Sequence, residues 1–245
     1  MSDKKIIELN NIKRNFQVGT ETVHALKGIS FSIEEGQFVT IMGKSGSGKS
    51  TLLNILGCLD SPSSGNYLLD GSSVQSMNKD QRARIRNQKI GFVFQNYNLL
   101  ANTTAIENVE LPLMYNPEVS TSEREKRAIE ALQRVELGDR LYHKSNQMSG
   151  GQMQRVAIAR ALVNNPAVIL ADEATGNLDT RTSYSILKLL QQLHKEGRTI
   201  IFVTHNNEIT SFSQRNIVLR DGKILSDTYN PTILSAAEAL EKLPK

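Results

Sequence analysis

Short apolar segments alternate along the chain with longer stretches in which apolar residues recur every three or four positions. The short segments are bounded by turn residues and predict β-strands, whereas the longer stretches predict α-helices. Two of the strands, Val168–Ala171 and Thr199–Val203, are almost wholly apolar and are separated by a helical stretch. Such runs are typical of parallel strands that are buried on both faces. The pattern therefore predicts a doubly wound α/β core.

The remaining elements predict an early β-rich lobe and a helical insert at about residues 98–165, within a single domain spanning residues 1–245. The predicted strands are Ile6–Leu9, Ile29–Ile33, Phe38–Met42, Asn66–Leu69, Ile90–Phe94, the two named above, and a closing hairpin of Ile217–Leu219 and Lys223–Leu225. The predicted helices are Lys49–Leu59, a segment from a capping box at Ser120 to Val135, Gly151–Val163 and Thr182–Lys195.

Composition narrows the class of protein. Of the 245 residues 39% are hydrophobic and 22% charged, which is enough for a sizeable core and lacks the signature of disorder. The net charge of +4 is too small to indicate nucleic acid or acidic lipid as the main partner. The most basic stretch, Lys79–Lys89, is interpreted as a solvated helix face, with a partner or lipid headgroups as the alternative.

Several absences in the sequence carry further expectations. Cys58 is the only cysteine, so we expect a buried thiol and no intrachain disulfide. No stretch of about 18 apolar residues is present, and the first residues lack a secretion signal, so a cytosolic chain without a bilayer span is expected. The apolar positions between Ile233 and Leu243 have helical spacing and are expected to pack on the chain's own domain rather than on a partner.

A glycine-rich segment, Gly43–Ser50, fits the pattern G-x-x-x-x-G-K-[ST] between a predicted strand and a predicted helix. Glycines let backbone N–H groups turn toward phosphate oxygens, and the helix N-terminus adds partial positive charge. Lys49 supplies a cation for the β- and γ-phosphates, and the Ser50 hydroxyl can ligate Mg²⁺. The residues expected to bind nucleotide here are Gly43, Ser45, Gly46, Ser47, Gly48, Lys49, Ser50 and Thr51.

Two acids follow the apolar strand Val168–Ala171. Asp172 is expected to reach the Mg²⁺ side of the phosphate loop, and Glu173 to orient or deprotonate the attacking water. A hydrophobic run that ends in two acids is a weak signal alone, but its combination with the phosphate loop is specific.

The segment Met148-Ser149-Gly150-Gly151-Gln152 resembles the signature motif of ABC ATPases. The order of the other motifs resembles that family along nearly the whole chain. Phe16 stands where these proteins place an aromatic residue on adenine, although alone it would be interpreted as a core residue. Gln95 stands at the Q-loop, Asn177–Asp179 at the D-loop, and His205 at the switch histidine.

This resemblance implies a P-loop NTPase core of the RecA type, with an N-terminal antiparallel β subdomain and an inserted helical subdomain. It implies ATP with Mg²⁺ between two copies of the chain, beneath a transmembrane permease on the cytoplasmic face. The implied catalytic residues are Glu173, His205 and Gln95, and the implied metal ligands are Ser50, Gln95 and Asp172. The second copy would contribute Ser149, Gly150, Gly151 and Gln152, and Asp179 of the D-loop is also implied to bind the nucleotide.

A narrower resemblance connects the segments Leu56–Asp60 and Ala171–Asp179 to the branch that serves macrolide efflux and lipoprotein release. The departures from the family pattern are Lys44, Met148, Ala174 and Asn206, and none removes a group that the chemistry needs. The main alternative is a cell-division-type ATPase that regulates cell-wall hydrolases without transport. Soluble ABC proteins with two nucleotide domains, and kinases or GTPases, explain the motifs less well.

Overall fold

The computed structural model describes residues 4–244, which form ten strands and seven α-helices. Six strands form the central sheet in the order β10-β9-β3-β8-β7-β6, and five of them, from β9 to β6, are parallel. Only the edge strand β10 is antiparallel. The strands of this sheet are β3 (Phe38–Gly43), β6 (Ile90–Phe94), β7 (Val168–Asp172), β8 (Thr199–Thr204), β9 (Arg215–Arg220) and β10 (Lys223–Tyr229).

Both faces of the central sheet are buried. Along β7 the side chains of Val168 and Leu170 enter one hydrophobic cluster, whereas those of Ile169 and Ala171 enter the other. Successive side chains of a strand point to opposite faces, so a strand covered on both sides is apolar at nearly every position. This is the physical reason for the uninterrupted apolar runs in the sequence, and the predicted α/β core is confirmed.

A second, antiparallel sheet has the order β2-β1-β4-β5. Its strands are β1 (Lys5–Val18), β2 (Glu21–Glu34), β4 (Ser64–Leu69) and β5 (Ser72–Ser73). The predicted strands Ile6–Leu9 and Ile29–Ile33 are therefore only the buried halves of two long strands. The outer halves, around Asn15 and Val23, are polar or exposed and are held by hairpin pairing, which the hydrophobic pattern does not report.

The helices cover the central sheet. They are α1 (Lys49–Leu56), α2 (Lys79–Lys89), α3 (Ala105–Met114), α4 (Thr121–Arg134), α5 (Gly150–Leu162), α6 (Thr180–Lys195) and α7 (Ala236–Glu241). Helices α3, α4 and α5 lie between β6 and β7 in the chain, where a helical insert was expected. The limits of that insert at residues 98–165 stay a prediction. Helix α2 buries none of its residues, as expected for a solvated basic face.

Two local predictions were wrong in part. Helix α1 ends at Leu56 and not at Leu59, because Cys58 adopts a left-handed conformation (φ 54°) and the chain turns there. At Ser120 only half of the capping box forms: its Oγ accepts from the Glu123 N–H at 3.3 Å. The Glu123 carboxylate instead accepts from Arg127 one turn later, at 2.8 Å.

The C-terminal apolar positions do not form one helix. Helix α7 packs against α6 and buries Ala236 fully, as expected for packing on the chain's own domain. Ile233 and Leu234 precede the helix and remain about half exposed. Cys58 is buried, as predicted. Within residues 4–244, no helix combines the length and apolar character needed to cross a membrane.

Candidate nucleotide-binding site

Four neighbouring strands end at one edge of the central sheet. Strand β3 leads into the glycine-rich loop, β8 into His205, β7 into Glu173, and β6 into Gln95. The parallel registers align these ends, with Met42 opposite Thr204 and Asp172 opposite Val203. Ligands of open α/β sheets bind outside the carboxyl ends of the strands. The topology therefore collects the predicted catalytic residues around the glycine-rich loop.

The glycine-rich loop requires its glycines. Gly46 and Gly48 have φ values of 78° and 101°, which residues with a Cβ adopt only with strain. A Cβ on Gly48 would also lie 2.8 Å from the backbone oxygen of Ala25. Behind the loop, the N–H of Gly222 donates to the Ser47 oxygen at 3.1 Å. Neither Ala25 nor Gly222 was predicted from the sequence, since no local signal connects distant turns to the loop.

The Lys49 ammonium group lies folded across the loop. Its Nζ donates to the backbone oxygens of Gly43 at 2.6 Å and Lys44 at 3.1 Å. Lys49 and Ser50 form the first turn of α1, and the Ser50 side chain is exposed. The amino end of this helix and the Lys49 cation give the loop a positive field suited to phosphate.

Glu173 and His205 form a pair beside this loop. His205 Nδ1 lies 2.6 Å from Glu173 Oε1, although the two residues are 32 positions apart. Glu173 is in a left-handed conformation (φ 46°), and its N–H donates to the Val203 oxygen at 2.8 Å. Backbone strain at a non-glycine residue is typical of functional sites. Here it turns the carboxylate out of the sheet, toward the imidazole.

The Asp172 carboxyl has a raised pKa. Burial is the main cause, and the negative charge of Glu173 adds to it, whereas the Lys49 cation opposes the shift. Two adjacent carboxylates at the end of a buried strand thus favour the arrival of additional positive charge.

Gln95 and Asn177 connect the end of β6 to the loop after Glu173. Gln95 Nε2 donates to Asn177 Oδ1 at 3.0 Å, and Asn177 Nδ2 donates to Asn96 Oδ1 at 2.7 Å. A Cβ on Gly176 would lie 2.7 Å from Gln95 Nε2, so the glycine makes room for this amide. The Gln95 side-chain oxygen accepts no hydrogen bond within residues 4–244.

Ser149 and Gln152 cap the amino end of α5. Ser149 Oγ accepts from the Gln152 N–H at 3.3 Å, and Gln152 Oε1 accepts from the Ser149 N–H at 2.9 Å. The Ser149 hydroxyl proton is left free to donate outward. Gly151 permits close packing, because a Cβ there would lie 2.6 Å from Thr182 Cγ2. A Cβ on Gly150 would meet the Tyr97 hydroxyl at 2.8 Å.

Within residues 4–244, no hydrogen bond joins the signature segment (Met148–Gln152) to the phosphate loop (Gly43–Ser50). Asp179 also has a local role, since its carboxylate caps α6 by accepting from the Thr182 N–H at 2.9 Å and the Thr182 hydroxyl at 2.5 Å. These bonds lower the pKa of Asp179.

Phe16 is 38% exposed at the outer end of β1, which excludes the interpretation as a core aromatic. The Arg14 guanidinium lies over its ring, 4.5 Å from the centroid. Sequence reasoning missed Arg14, because only the folded strand reveals the contact.

Fold and site together define a P-loop nucleotide-binding protein: a parallel sheet, a glycine-rich loop that opens a helix, and two acids after a buried strand. The family profile described as "ABC transporter" matches residues 26–176. The chain belongs to this family, and it is an ATP-binding, ATP-hydrolysing subunit of the ABC transporter type.

Relatives support this assignment. An uncharacterised ABC transporter ATP-binding protein of Thermotoga maritima is 54% identical over 221 residues, which cover 90% of this chain and 94% of that protein. The macrolide export ATP-binding/permease protein MacB of Hyphomonas neptunium is 50% identical over 225 residues. That match covers 92% of this chain but only 35% of MacB.

A solved structure has the same fold. The ATP-binding cassette MJ0796, whose counterpart among the relatives is from Methanocaldococcus jannaschii, was solved as a dimer in a post-hydrolysis state with ADP and phosphate. It superposes with a TM-score of 0.82 at 47% identity and covers 91% of this chain and 98% of that one. The predicted class of fold is therefore confirmed.

Proposed function

We propose that two copies of this chain bind two ATP molecules at a shared interface, and that closure of this dimer drives a separate membrane permease. The observation that carries the proposal is the Glu173–His205 pair beside the phosphate loop. The Glu173 carboxylate and the His205 imidazole are 2.6 Å apart. The exposed Ser149 supports it, because it lies at a helix N-terminus and makes no hydrogen bond to the phosphate loop of its own chain within the described residues. The dimeric state of MJ0796 is consistent with this arrangement.

Glu173 is the proposed general base for the attacking water, and His205 holds its carboxylate in position. A general base must lie within hydrogen-bond reach of the proton that it accepts. A neighbouring group must also hold it in the correct orientation. The contact at 2.6 Å with His205 meets the second condition. The first condition, reach to the attacking water, is what hydrolysis by the Glu173→Gln variant tests. Lys49 neutralises charge on the β- and γ-phosphates.

The oxygen donors beside the loop fit Mg²⁺. They are the exposed Ser50 hydroxyl, the Asp172 carboxylate and the Gln95 side-chain oxygen, and the raised pKa of Asp172 marks a place where a cation is favourable. Within residues 4–244, no group of three or more His, Cys, Asp or Glu side chains is placed to hold a metal. This suits an ion that binds mainly through nucleotide phosphates and water. When bound, it would neutralise charge on the transferred phosphoryl group.

A groove of about 960 Å³ between α2, β6, α3 and α5 is the proposed docking site for the permease. Most of its lining is apolar, and none of its described lining residues is acidic. The polar lining residues are Asn87, Asn98, Asn164, Arg84, Arg86 and Arg160. Arg86 is bound to the Cys58 oxygen at 3.0 Å, whereas the exposed Arg84 has no partner in the described part of the chain. We therefore expect an apolar permease segment that carries a carboxylate.

Arg160 connects this groove to the nucleotide site. Its guanidinium donates to the backbone oxygens of Tyr97 at 2.8 Å and Asn98 at 2.6 Å, and burial lowers its pKa. Tyr97 and Asn98 are both left-handed (φ 60° and 49°) and lie just after Gln95. Movement of this strained loop would couple Gln95 to a permease segment bound in the groove.

The proposed direction of transport is export or release of a hydrophobic or lipidated molecule. This chain would act at the cytoplasmic face of the membrane. Its support is the similarity to MacB, a macrolide export ATP-binding/permease protein of which the match covers 35%. A transport assay with the permease encoded beside the gene would test this branch against regulation of cell-wall hydrolases without transport.

The decisive experiment for the dimer uses Glu173→Gln. This change preserves shape but removes the base, so ATP hydrolysis should fall at least about 100-fold. ATP should then trap a dimer that is visible by size-exclusion chromatography, whereas ADP should not. The control is Glu208→Gln, which neutralises an exposed acid three residues after His205 and should preserve turnover. A monomer with normal hydrolysis would remove Glu173 from its proposed role.

A further inference from the structure

Arg14 and Asp60 form a two-pronged ion pair beneath Phe16. Arg14 Nε donates to Asp60 Oδ2 at 2.8 Å, and Nη2 donates to Oδ1 at 2.9 Å. Both side chains are about three-quarters buried, with 25% and 27% exposed. Asp60 Oδ1 also accepts from the Ser61 N–H at 2.7 Å. Two parallel bonds fix the plane and position of a guanidinium far better than one.

The guanidinium covers one side of the Phe16 ring. Its Cζ lies 4.5 Å from the ring centroid, within the range of a favourable cation–π contact. Phe16 makes no contact with another aromatic ring within the described chain and remains 38% exposed. The exposed surface of the ring is thus available to a planar ligand.

Asp60 is attached to the helix that begins at the phosphate loop. Its N–H donates to the Asn54 oxygen at 3.1 Å, in the last part of α1. Helix α1 starts at Lys49 and has eight residues, so it spans about 12 Å. The same segment is bound to β1, since the Ser63 N–H donates to the Lys13 oxygen at 2.8 Å. The aromatic ring and the phosphate loop are therefore attached to opposite ends of one short rigid element.

We propose that Arg14, held by Asp60, is a positioning residue for the nucleotide base: it fixes the Phe16 ring at a set distance from the phosphate loop. The proposal rests on the assignment of Phe16 as the base-stacking residue. An exposed phenylalanine would otherwise lose rotational freedom when a base stacks on it, and this loss weakens binding. The ion pair removes that freedom before the nucleotide arrives.

The alternative is a purely structural connection between β1 and the segment after α1. The two roles differ in what they do to ligands without a base. A structural connection acts on the whole site, so its loss would weaken every phosphate ligand. A positioning residue for the base acts only on ligands that have one.

The experiment measures the Kd of ATP and of inorganic tripolyphosphate, each with Mg²⁺, by calorimetry on the full chain. For Arg14→Ala the Kd of ATP should rise about threefold to tenfold, the range expected when a side chain that was ordered beforehand must instead be ordered on binding. The Kd of tripolyphosphate should not change. In turnover, KM for ATP should rise while kcat is kept. Lys13→Ala removes the neighbouring exposed cation and should change neither Kd.

Two further variants keep the outcome decisive. Asp60→Asn retains volume and the guanidinium but loses the ion pair, and it should also weaken ATP selectively; it decides the question if Arg14→Ala does not fold. Phe16→Ala tests the underlying assignment. If Phe16→Ala weakens ATP but neither ion-pair variant does, the positioning role is overturned and the base contact stands. If Phe16→Ala leaves ATP binding unchanged, the base contact itself is wrong. Equal losses for ATP and tripolyphosphate would identify a structural connection instead.

Discussion

Ser149 allows the stability of a helix to be separated from recognition of a phosphate. Its Oγ caps α5 by accepting from the Gln152 N–H at 3.3 Å, while the residue itself is exposed. Ser149→Ala removes this cap, which should cost about 1 kcal/mol. For a chain of this length such a loss lowers Tm by about 2–4 °C.

Ser149→Asp should have the opposite profile. Aspartate caps helices as well as serine does, and its charge is favourable at a helix N-terminus, so Tm should be kept. Across the proposed dimer interface, however, the carboxylate would face the γ-phosphate of ATP held by the other copy. Two unit charges about 5 Å apart repel by roughly 3 kcal/mol at an effective dielectric constant of about 20. Because the proposed dimer contains two such contacts, ATP-driven dimerisation should weaken at least about 100-fold.

The assay is an ATP titration of dimer formation in the Glu173→Gln background, read by size-exclusion chromatography with light scattering. Ser120→Asp is the matched control, because Ser120 caps α4 with the same distance of 3.3 Å to the Glu123 N–H. Undiminished dimerisation of Ser149→Asp would refute the placement of Ser149 at a shared nucleotide. A loss that Ser120→Asp reproduces would indicate a general charge effect.

Three further changes have defined outcomes. Lys49→Ala should raise the Kd of ATP at least about tenfold, because a desolvated cation–phosphate contact is lost; unchanged calorimetric binding would contradict the loop assignment. Asp172→Asn should abolish hydrolysis yet raise Tm at pH 7. Because folding raises the pKa of Asp172, its ionised form destabilises the folded chain above the usual titration range of an aspartate. The increase in Tm should therefore vanish below about pH 4. Asp227→Ala leaves the Arg215 guanidinium, whose side chain is 10% exposed, without its carboxylate. Urea unfolding should show a loss of about 2–4 kcal/mol, and a loss under about 0.5 kcal/mol would show that solvent compensates the charge.

The parts of the fold that were predictable are those in which burial leaves a record in the local sequence. Strand β6 has the predicted bounds Ile90–Phe94, and β7 and β8 each extend one residue beyond the prediction. Both faces of these strands are covered, so the positions between their ends are apolar or glycine, and the polar residues Asp172, Thr199 and Thr204 stand only at strand ends. The outer halves of β1 and β2 have no such apolar pattern. Around Asn15 and Val23 these halves are held by pairing between the two strands and are not buried.

The predictability of the site was divided in the same way. Motif order placed Lys49 at the start of the helix that follows one strand, and Asp172 and Glu173 at the end of another, where parallel topology brings these groups to the same edge of the sheet. Arg14 and Asp60 belong to no motif, and their two-pronged ion pair is evident only in the folded chain. A side-chain pair across 46 positions depends on how β1 and the end of α1 meet, and local sequence carries no information about that meeting.

The amino-acid sequence by itself determined which groups are available: a loop of glycines, a lysine at a helix start, two acids after an apolar strand, and a serine that begins α5. These are local properties, set by backbone freedom, helix capping and side-chain chemistry. The tertiary structure alone decided that β8 lies between β3 and β7, and hence that His205 meets Glu173 across 32 positions. Strand order follows from the packing of both sheet faces against separate clusters, which is a cooperative property of the whole chain.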